Sequence, residues 1–367
     1  MKLKKDKWIS EPLESIFKLK SGSALPNHKI IEGECAVYGG NGIVGYHAEY
    51  MVKNPTIVIG RVGEYCGSIH LSKPNSWITD NGLYPIEFLK DVDTYFLKES
   101  LTHVNLNHYS RKTGQPSISQ SSISAVEILF PPLEEQKIIA ALFQSAETAM
   151  EQVDGQGQHL LTLKNKLLKD LFSDKKMLGN HLKEKDFETV KFEKIAINIS
   201  ERVEPKKTGL TTYVGLEHLD AENLRIERTG TPDDVIGTKL KIYKGDIIFG
   251  KRRAYLRKIA VSHFDGIASA HSMILRADEK NIEKEFLPYF MQSDAFMSRA
   301  VEISEGSLSP TIKNKTLGVQ EFILPKKEKQ KELISLFKQF DATMELLKQQ
   351  KTTLKQLKQK LLNEILG

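Results

Sequence analysis

The stretch Pro325–Leu366 repeats Pro131–Phe172 without a gap at an offset of 194 residues, and no other feature constrains the fold as much. Pro131 falls on Pro325, Gln136 on Gln330, Phe143 on Phe337, Met150 on Met344, Leu160 on Leu354 and Leu167 on Leu361. In the second copy Leu333, Phe337, Phe340, Met344, Leu347, Lys351, Leu354, Lys358, Leu361 and Ile365 alternate spacings of four and three. That is the a/d stripe of a coiled coil. The first copy runs Ile139, Phe143, Ala146, Met150, Val153, Gly157, Leu160, Lys164, Leu167 and Leu171, with its exceptions at equivalent places. A helix of about 40 residues spans ~60 Å. Its stripe must be covered, and the nearest cover is the other copy. Ile139, Phe143, Met150, Leu160 and Leu167 are therefore expected to pack against Leu333, Phe337, Met344, Leu354 and Leu361. Two unrelated helices in separate cores would not share a gapless register. Gly155 and Gly157 each weaken the first helix by ~1 kcal/mol relative to alanine, which allows a hinge or a close helix contact there.

At 367 residues the chain has room for two or three domains. No apolar run reaches the length of a membrane span, and MKLKKDKWISEPLE lacks an apolar signal core. Cys35 and Cys66, the two cysteines, have no metal-ligand spacing, which fits a reduced cytoplasmic protein. The net charge of +6 permits a polyanionic partner without requiring one.

From Trp8 to Phe130, short apolar runs alternate with turn residues. TIVIG (Thr56–Gly60) and SIHLS (Ser68–Ser72) read as strands, AVEILFPP (Ala125–Pro132) as a strand running into a proline stop, Asp93–Leu106 as a helix, and Ser110–Ser124 as a polar loop. After a linker at Lys175–Asn180 a similar order begins near Phe187. VKFEKIA matches EPLESIF in character, DIIFGKRRAY aligns with TIVIGRVGEY at an offset of 190, and IASAH (Ile267–His271) falls on Trp77–Asn81. Pro310 and Ile312 match Pro116 and Ile118 at the helical offset of 194. The chain is one duplication of a mixed domain followed by a long helix. The helices agree better than the domains. The expected parts are 1–131, 132–176, 177–325 and 326–367.

Motifs for chemistry fail on inspection. GDIIFGKR (Gly245–Arg252) nearly spells a phosphate loop, but Arg252 stands where a Mg²⁺-binding hydroxyl is needed and Ile247–Phe249 reads as strand. GNGIVG (Gly40–Gly45) matches a dinucleotide fingerprint, yet no helix follows, and a pair of turns is expected. No metal cluster, catalytic nucleophile or [DN]-P-P-[YF] segment is visible, so the chain reads as a binder.

Between Lys239 and Lys258 eight basic residues, among them Lys251, Arg252, Arg253 and Arg257, face one acid, Asp246. Guanidinium groups pair with phosphate oxygens or with guanine edges. The alternative for such a cluster is a solvated basic surface. The first domain offers Arg61 opposite Lys251, and Arg111, Lys112, Gln115 and Ser117 in its late loop. Thr79 and Asn81, with Ser269 and His271 at the matching places, and Ser307 and Ser309 of the second late loop complete the candidate DNA-binding set.

These features together resemble the specificity subunit of a type I restriction-modification system. The resemblance is carried by FPPLEEQKIIAALF (Phe130–Phe143) with LPKKEKQKELISLF (Leu324–Phe337), by VYGGNGIVGYH, GQPSISQ and YVGLEHLD, and by GKRRAYLRKIAV. It spans essentially the whole chain, although Lys326 and Lys327 replace Pro132 and Leu133. The resemblance implies an α+β fold of two mixed α/β target-recognition domains separated by two long helices. These would form an antiparallel coiled coil, the whole an internal repeat with pseudo-two-fold symmetry. Each domain would read one half of a bipartite site in double-stranded DNA. Two methylation subunits and the restriction subunits would bind the scaffold and carry S-adenosylmethionine, ATP and Mg. This chain would be non-catalytic, with no cofactor or metal of its own and no membrane attachment. The competing reading is a two-domain coiled-coil scaffold without sequence-specific DNA binding; an enzyme with an unrecognised site has no motif in its favour.

Overall fold

A duplicated strand pair leads into each long helix. Ile9–Pro12 runs antiparallel to Glu127–Phe130, and Phe187–Lys191 to Glu321–Pro325. The helices follow at once, over Leu133–Leu171 and Lys327–Leu366. Glu134 and Glu135 open the first, where acidic side chains complement the helix dipole. The computed structural model describes residues 5–111, 114–172 and 182–367. The expected linker and Lys112 lie outside the described residues.

The chain forms two compact units, 1–154 with 349–367, and 155–348. Each therefore combines one globular domain with the opening half of its own long helix and the closing half of the other. Sequence register marks the repeat, whereas spatial packing marks these units.

In the first unit a four-stranded antiparallel sheet has the order Phe17–Ser21, Gly82–Phe88, Ile57–Gly60, Ile69–Leu71. A smaller sheet places Cys35–Gly39 between Gly42–His47 and a parallel Trp77–Ile78. Asp93 caps the helix Thr94–Val104 through the amides of Tyr95 and Phe96. The Gly40–Gly45 stretch differs from the expected pair of turns. It is one two-residue hairpin turn at Gly40–Asn41 leading into a strand, with Gly42 at φ +89°.

The second unit repeats the plan with Ala196–Ile199, Ser272–Ala277, Ile247–Gly250 and Ile259–Val261. Its smaller sheet runs Arg202–Val203, Lys239–Ile242, Gly266–Ala268, Tyr213–Val214, again with one parallel pair. Leu13–Ile16 and Phe192–Ile195 are matching one-turn helices. The core of this unit is phenylalanine-rich: Phe192, Phe249, Phe290 and Phe322 all pack around Phe296.

The helix stripe is covered differently along its length. Ile139 and Phe143 are buried in the first unit's core together with Leu362, Ile365 and Leu366. Leu333 and Phe337 are buried in the second with Leu168 and Leu171. The globular domains thus share in covering the helix ends, where only the other helix was expected. Met150, Leu160, Leu167, Met344, Leu354 and Leu361 are half-buried. The segments run antiparallel: in the first unit Lys358 meets Glu147, and seven residues along Lys351 meets Asp154 at 2.6 Å. In the second unit Lys164 meets Asp341 at 2.7 Å. The lysines that interrupted the apolar stripe are these ion-pair positions. An added Cβ at Gly155 or Gly157 would meet nothing within 4 Å, so neither marks a close helix contact.

The repeated glutamine has a definite task. Gln136 is fully buried; its amide nitrogen donates to the Pro131 carbonyl (2.8 Å) and its oxygen accepts from the Asp93 amide (2.9 Å). Gln330 does the same with Pro325 (2.9 Å) and Glu283 (2.8 Å). Each ties a long helix to the start of a domain helix.

Candidate nucleic-acid interface

In each domain a central strand ends in a loop that a second, later loop clamps. In the first, the Ile118 amide donates to the Arg61 carbonyl (2.8 Å), Gly63 to Pro116 (2.9 Å) and Arg111 to Ser117 (2.9 Å). In the second, Ile312 donates to Lys251 (3.0 Å), Arg253 to Pro310 (2.8 Å) and Glu305 to Thr311 (3.1 Å). These are the same bonds at the two sequence offsets. A third segment closes each site: Thr79 donates to Tyr38 and accepts from Gly82, and Ser269 donates to Val214 and accepts from Ser272. Loops fixed by backbone hydrogen bonds can present side chains at low ordering cost on binding.

The first site brings together Arg61, Asn81, Arg111, Gln115 and Ser117. Arg61 donates from its backbone to the Asn81 carbonyl (2.9 Å) and from Nη1 to the Asp80 carbonyl (3.2 Å). Asn81, Arg111 and Gln115 are exposed, and Ser117 is half-buried. Thr79 differs from expectation: it is buried, because it occupies the first position of the tight turn.

The second site gathers Lys251, Arg252, Arg253, His271, Ser307 and Ser309. Arg252 Nη1 lies 3.3 Å from His271 Nε2, and Arg253 Nε donates to Ser309 Oγ at 3.3 Å. Arg253 adopts φ +57°, a left-handed conformation uncommon outside glycine, which turns the chain sharply at the basic run. Ser307 is exposed. Burial and then the neighbouring Arg202 push the Lys251 ammonium pKa down. His271 is lowered by burial, then by Arg252, Lys251 and Lys239. Burial is the larger cause of both shifts, and the positive neighbours add to it. Ser269, like Thr79, is buried at its turn, with its hydroxyl accepting from the His271 amide (3.3 Å).

Arg257 does not join the cluster. Its guanidinium is held by Asp294 (2.8 Å) and the Gln292 carbonyl (2.6 Å), where it braces the end of one short helix and the start of the next. Lys241 is paired with Glu201 (3.1 Å) and Lys258 donates to the Leu216 carbonyl (2.6 Å). Their partners, carboxylates for Arg257 and Lys241 and a backbone carbonyl for Lys258, are distant in sequence, so charge counting could not remove them. Arg202 was missed for the converse reason: strand pairing of Arg202–Val203 with Leu240 and Lys239 brings it in. Among the described residues no group of three or more His, Cys, Asp or Glu could hold a metal ion, and no helix is long and apolar enough to cross a membrane.

The family described as "Type I restriction modification DNA specificity domain" matches residues 5–160 and 184–356, one match on each repeat. The chain belongs to this family. Within it, this chain is 22% identical over 344 residues to the type I restriction enzyme MjaVIII specificity subunit of Methanocaldococcus jannaschii, covering 87% of this chain and 80% of that one. It is 30% identical to the type I restriction enzyme EcoprrI specificity subunit of Escherichia coli over 141 residues, which are 37% of this chain and only 35% of the relative's length. A crystal structure of a type I restriction-modification S subunit from M. genitalium superposes with a TM-score of 0.63 at 20% identity, over 100% of this chain and 98% of that one. A chain from a structural study of the complex assembly and conformational transition of the type I system gives 0.60 at 14% identity, over 98% and 97%. At such identities the structural likeness carries the fold: two mixed domains, long helices and an internal repeat.

Proposed function

We propose that this chain reads DNA for a type I restriction-modification complex, each domain taking one half of a bipartite site. The observation that carries the reading is the duplicated clamped loop pair, which presents Arg61, Asn81, Arg111 and Gln115 on one domain and Lys251, Arg252, Arg253 and His271 on the other. Phosphate contacts would hold the register and base-edge contacts would select the sequence. Two readers on one chain convert modest interactions into a specific one through effective concentration. The long helices would act as the spacer, and together with the domain flanks they would hold two methylation subunits, with restriction subunits added. S-adenosylmethionine, ATP and Mg belong to those partners in this reading, and the chain supplies address and geometry in the cytoplasm.

The test is modified-base sequencing of genomic DNA from cells with and without this chain. Loss of methyladenine from a single bipartite motif is the expected result. An unchanged methylome in cells that express the methylation subunits would reject the reading. Binding by the assembled complex that shows no sequence preference and vanishes with salt would favour a scaffold instead.

A further inference from the structure

Each globular domain is fastened to the long helices by a polar node, and the two nodes repeat at the 194-residue offset. In the first unit the Tyr95 hydroxyl donates to Glu147, which also accepts from Lys358 (2.5 Å) and Lys98 (2.9 Å). In the second the Tyr289 hydroxyl donates to Asp341 (2.7 Å), which accepts from Lys164 (2.7 Å). Tyr95, Glu147 and Lys164 become Tyr289, Asp341 and Lys358 when 194 is added. Each node therefore joins three elements: a domain helix through tyrosine, one long helix through a carboxylate, and the other long helix through lysine.

We propose that these nodes set the pose of each recognition domain on the helix pair, with Tyr95 and Tyr289 as positioning residues, and thereby fix the half-site spacing that the complex accepts. This rests on the function proposed above. The apolar residues nearby, such as Met150, Leu160, Met344 and Leu354, are only half-buried. A part-buried carboxylate that receives a hydroxyl from one side and an ammonium from another is satisfied in few geometries, so such a node favours one arrangement of the three elements over its neighbours. The nodes differ in size. Lys98 and the fully buried Glu99, which Lys358 also approaches at 3.0 Å, enlarge the first, whereas the matching positions in the second are Gln292 and Ser293. Each set balances its charges, two lysines with two glutamates and one lysine with one aspartate.

The experiment uses the complete complex and a DNA library in which the methylated bipartite motif carries spacers one or two base pairs longer or shorter. Tyr95→Phe and Tyr289→Phe each delete one donor without changing shape; Lys164→Met deletes a charge and Lys164→Arg keeps it. Methylation at spacers off by one base pair is expected to rise about tenfold relative to the preferred spacer, a loss of ~1.4 kcal/mol of discrimination. Lys164→Arg should track the parent chain, and Tyr95→Phe should have the larger effect of the two tyrosine variants. A lower melting temperature with an unchanged spacer profile would make the nodes merely structural and sink the proposal. If Lys164→Met does not fold, the tyrosine variants decide alone. A parent complex that methylates no bipartite motif overturns the functional reading, and the node proposal falls with it; a sharp parent profile that no variant alters overturns the node proposal only.

Discussion

Glu147 shows how a residue's protonation is tied to the fold. Burial pulls its pKa up, but hydrogen bonds from Lys358, Tyr95 and Lys98 outweigh this and hold it down at about 2, against an ordinary 4.5. A carboxyl depressed by folding contributes stability that is present above its ordinary pKa and is lost as pH falls from 4.5 toward 2. With the side chain 30% exposed, solvent screening trims the contribution to roughly 2 kcal/mol. Urea midpoints measured from pH 7 to pH 2 should show the gap between the parent chain and Glu147→Gln closing over that window. A gap that stays constant with pH would show that the depression is absent. At the candidate interface the informative pair is Arg252→Ala and Arg253→Ala. An arginine that touches a base edge should cost ~1–3 kcal/mol of binding when removed and relax one position of the second half-site. One that touches a phosphate should instead weaken all sequences alike and lower the salt slope by about one. No change in affinity, selectivity or slope for either variant would remove these arginines from the interface. The sequence made these two legible through their charge. It misgrouped Arg257, whose neutraliser Asp294 lies 37 positions on, and overlooked Arg202, which strand pairing alone delivers.

At the scale of elements, the long helices were readable because a gapless repeat and a three-four stripe are statements about one chain segment at a time. What lay beyond reach was their cover. Leu362 and Ile365 obey the same helical periodicity whether they pack on a helix or on a domain, and their burial beside Phe96 and Ile139 is decided by tertiary structure. The repeated glutamine illustrates the same limit. Its recurrence was visible at Gln136 and Gln330, whereas its tie to the amides of Asp93 and Glu283 needs elements some 43 and 47 residues away. The hairpin at Gly40–Asn41 was missed because a glycine-rich run gives turns but does not say which flanks extend. Gly155 and Gly157 bring a prediction at this scale. Both lie within a continuous helix and face open space, so alanine adds helix propensity without a clash. Gly155→Ala and Gly157→Ala together should raise stability by about 1–2 kcal/mol, read as a higher melting temperature of the whole chain. A fall would show that helix breaking at these glycines is needed.

For the whole molecule, the two nodes define where the helices can be lengthened without disturbing either domain. Glu147 pairs with Lys358 in the first unit and Asp341 with Lys164 in the second, so along the chain the segments between 147 and 164 and between 341 and 358 run from the residues of one node to those of the other. A seven-residue insertion near Gly157, matched by one near Lys348, preserves the heptad stripe and both sets of ion pairs. Each insertion adds about 10 Å of helix. On the proposed reading the domains then stand farther apart along the DNA by roughly three base pairs, at about 3.4 Å per step. Modified-base sequencing of cells carrying the lengthened chain should return both half-sites unchanged, with a spacer longer by that amount. Lengthening one helix alone should break the match of the two segments, displace one lysine from its carboxylate, and abolish methylation. If matched insertions altered the half-sites and left the spacer as it was, the long helices would not be the element that measures distance. The loops at Arg61 and Lys251 would then have to be read as sensing their separation through the DNA itself.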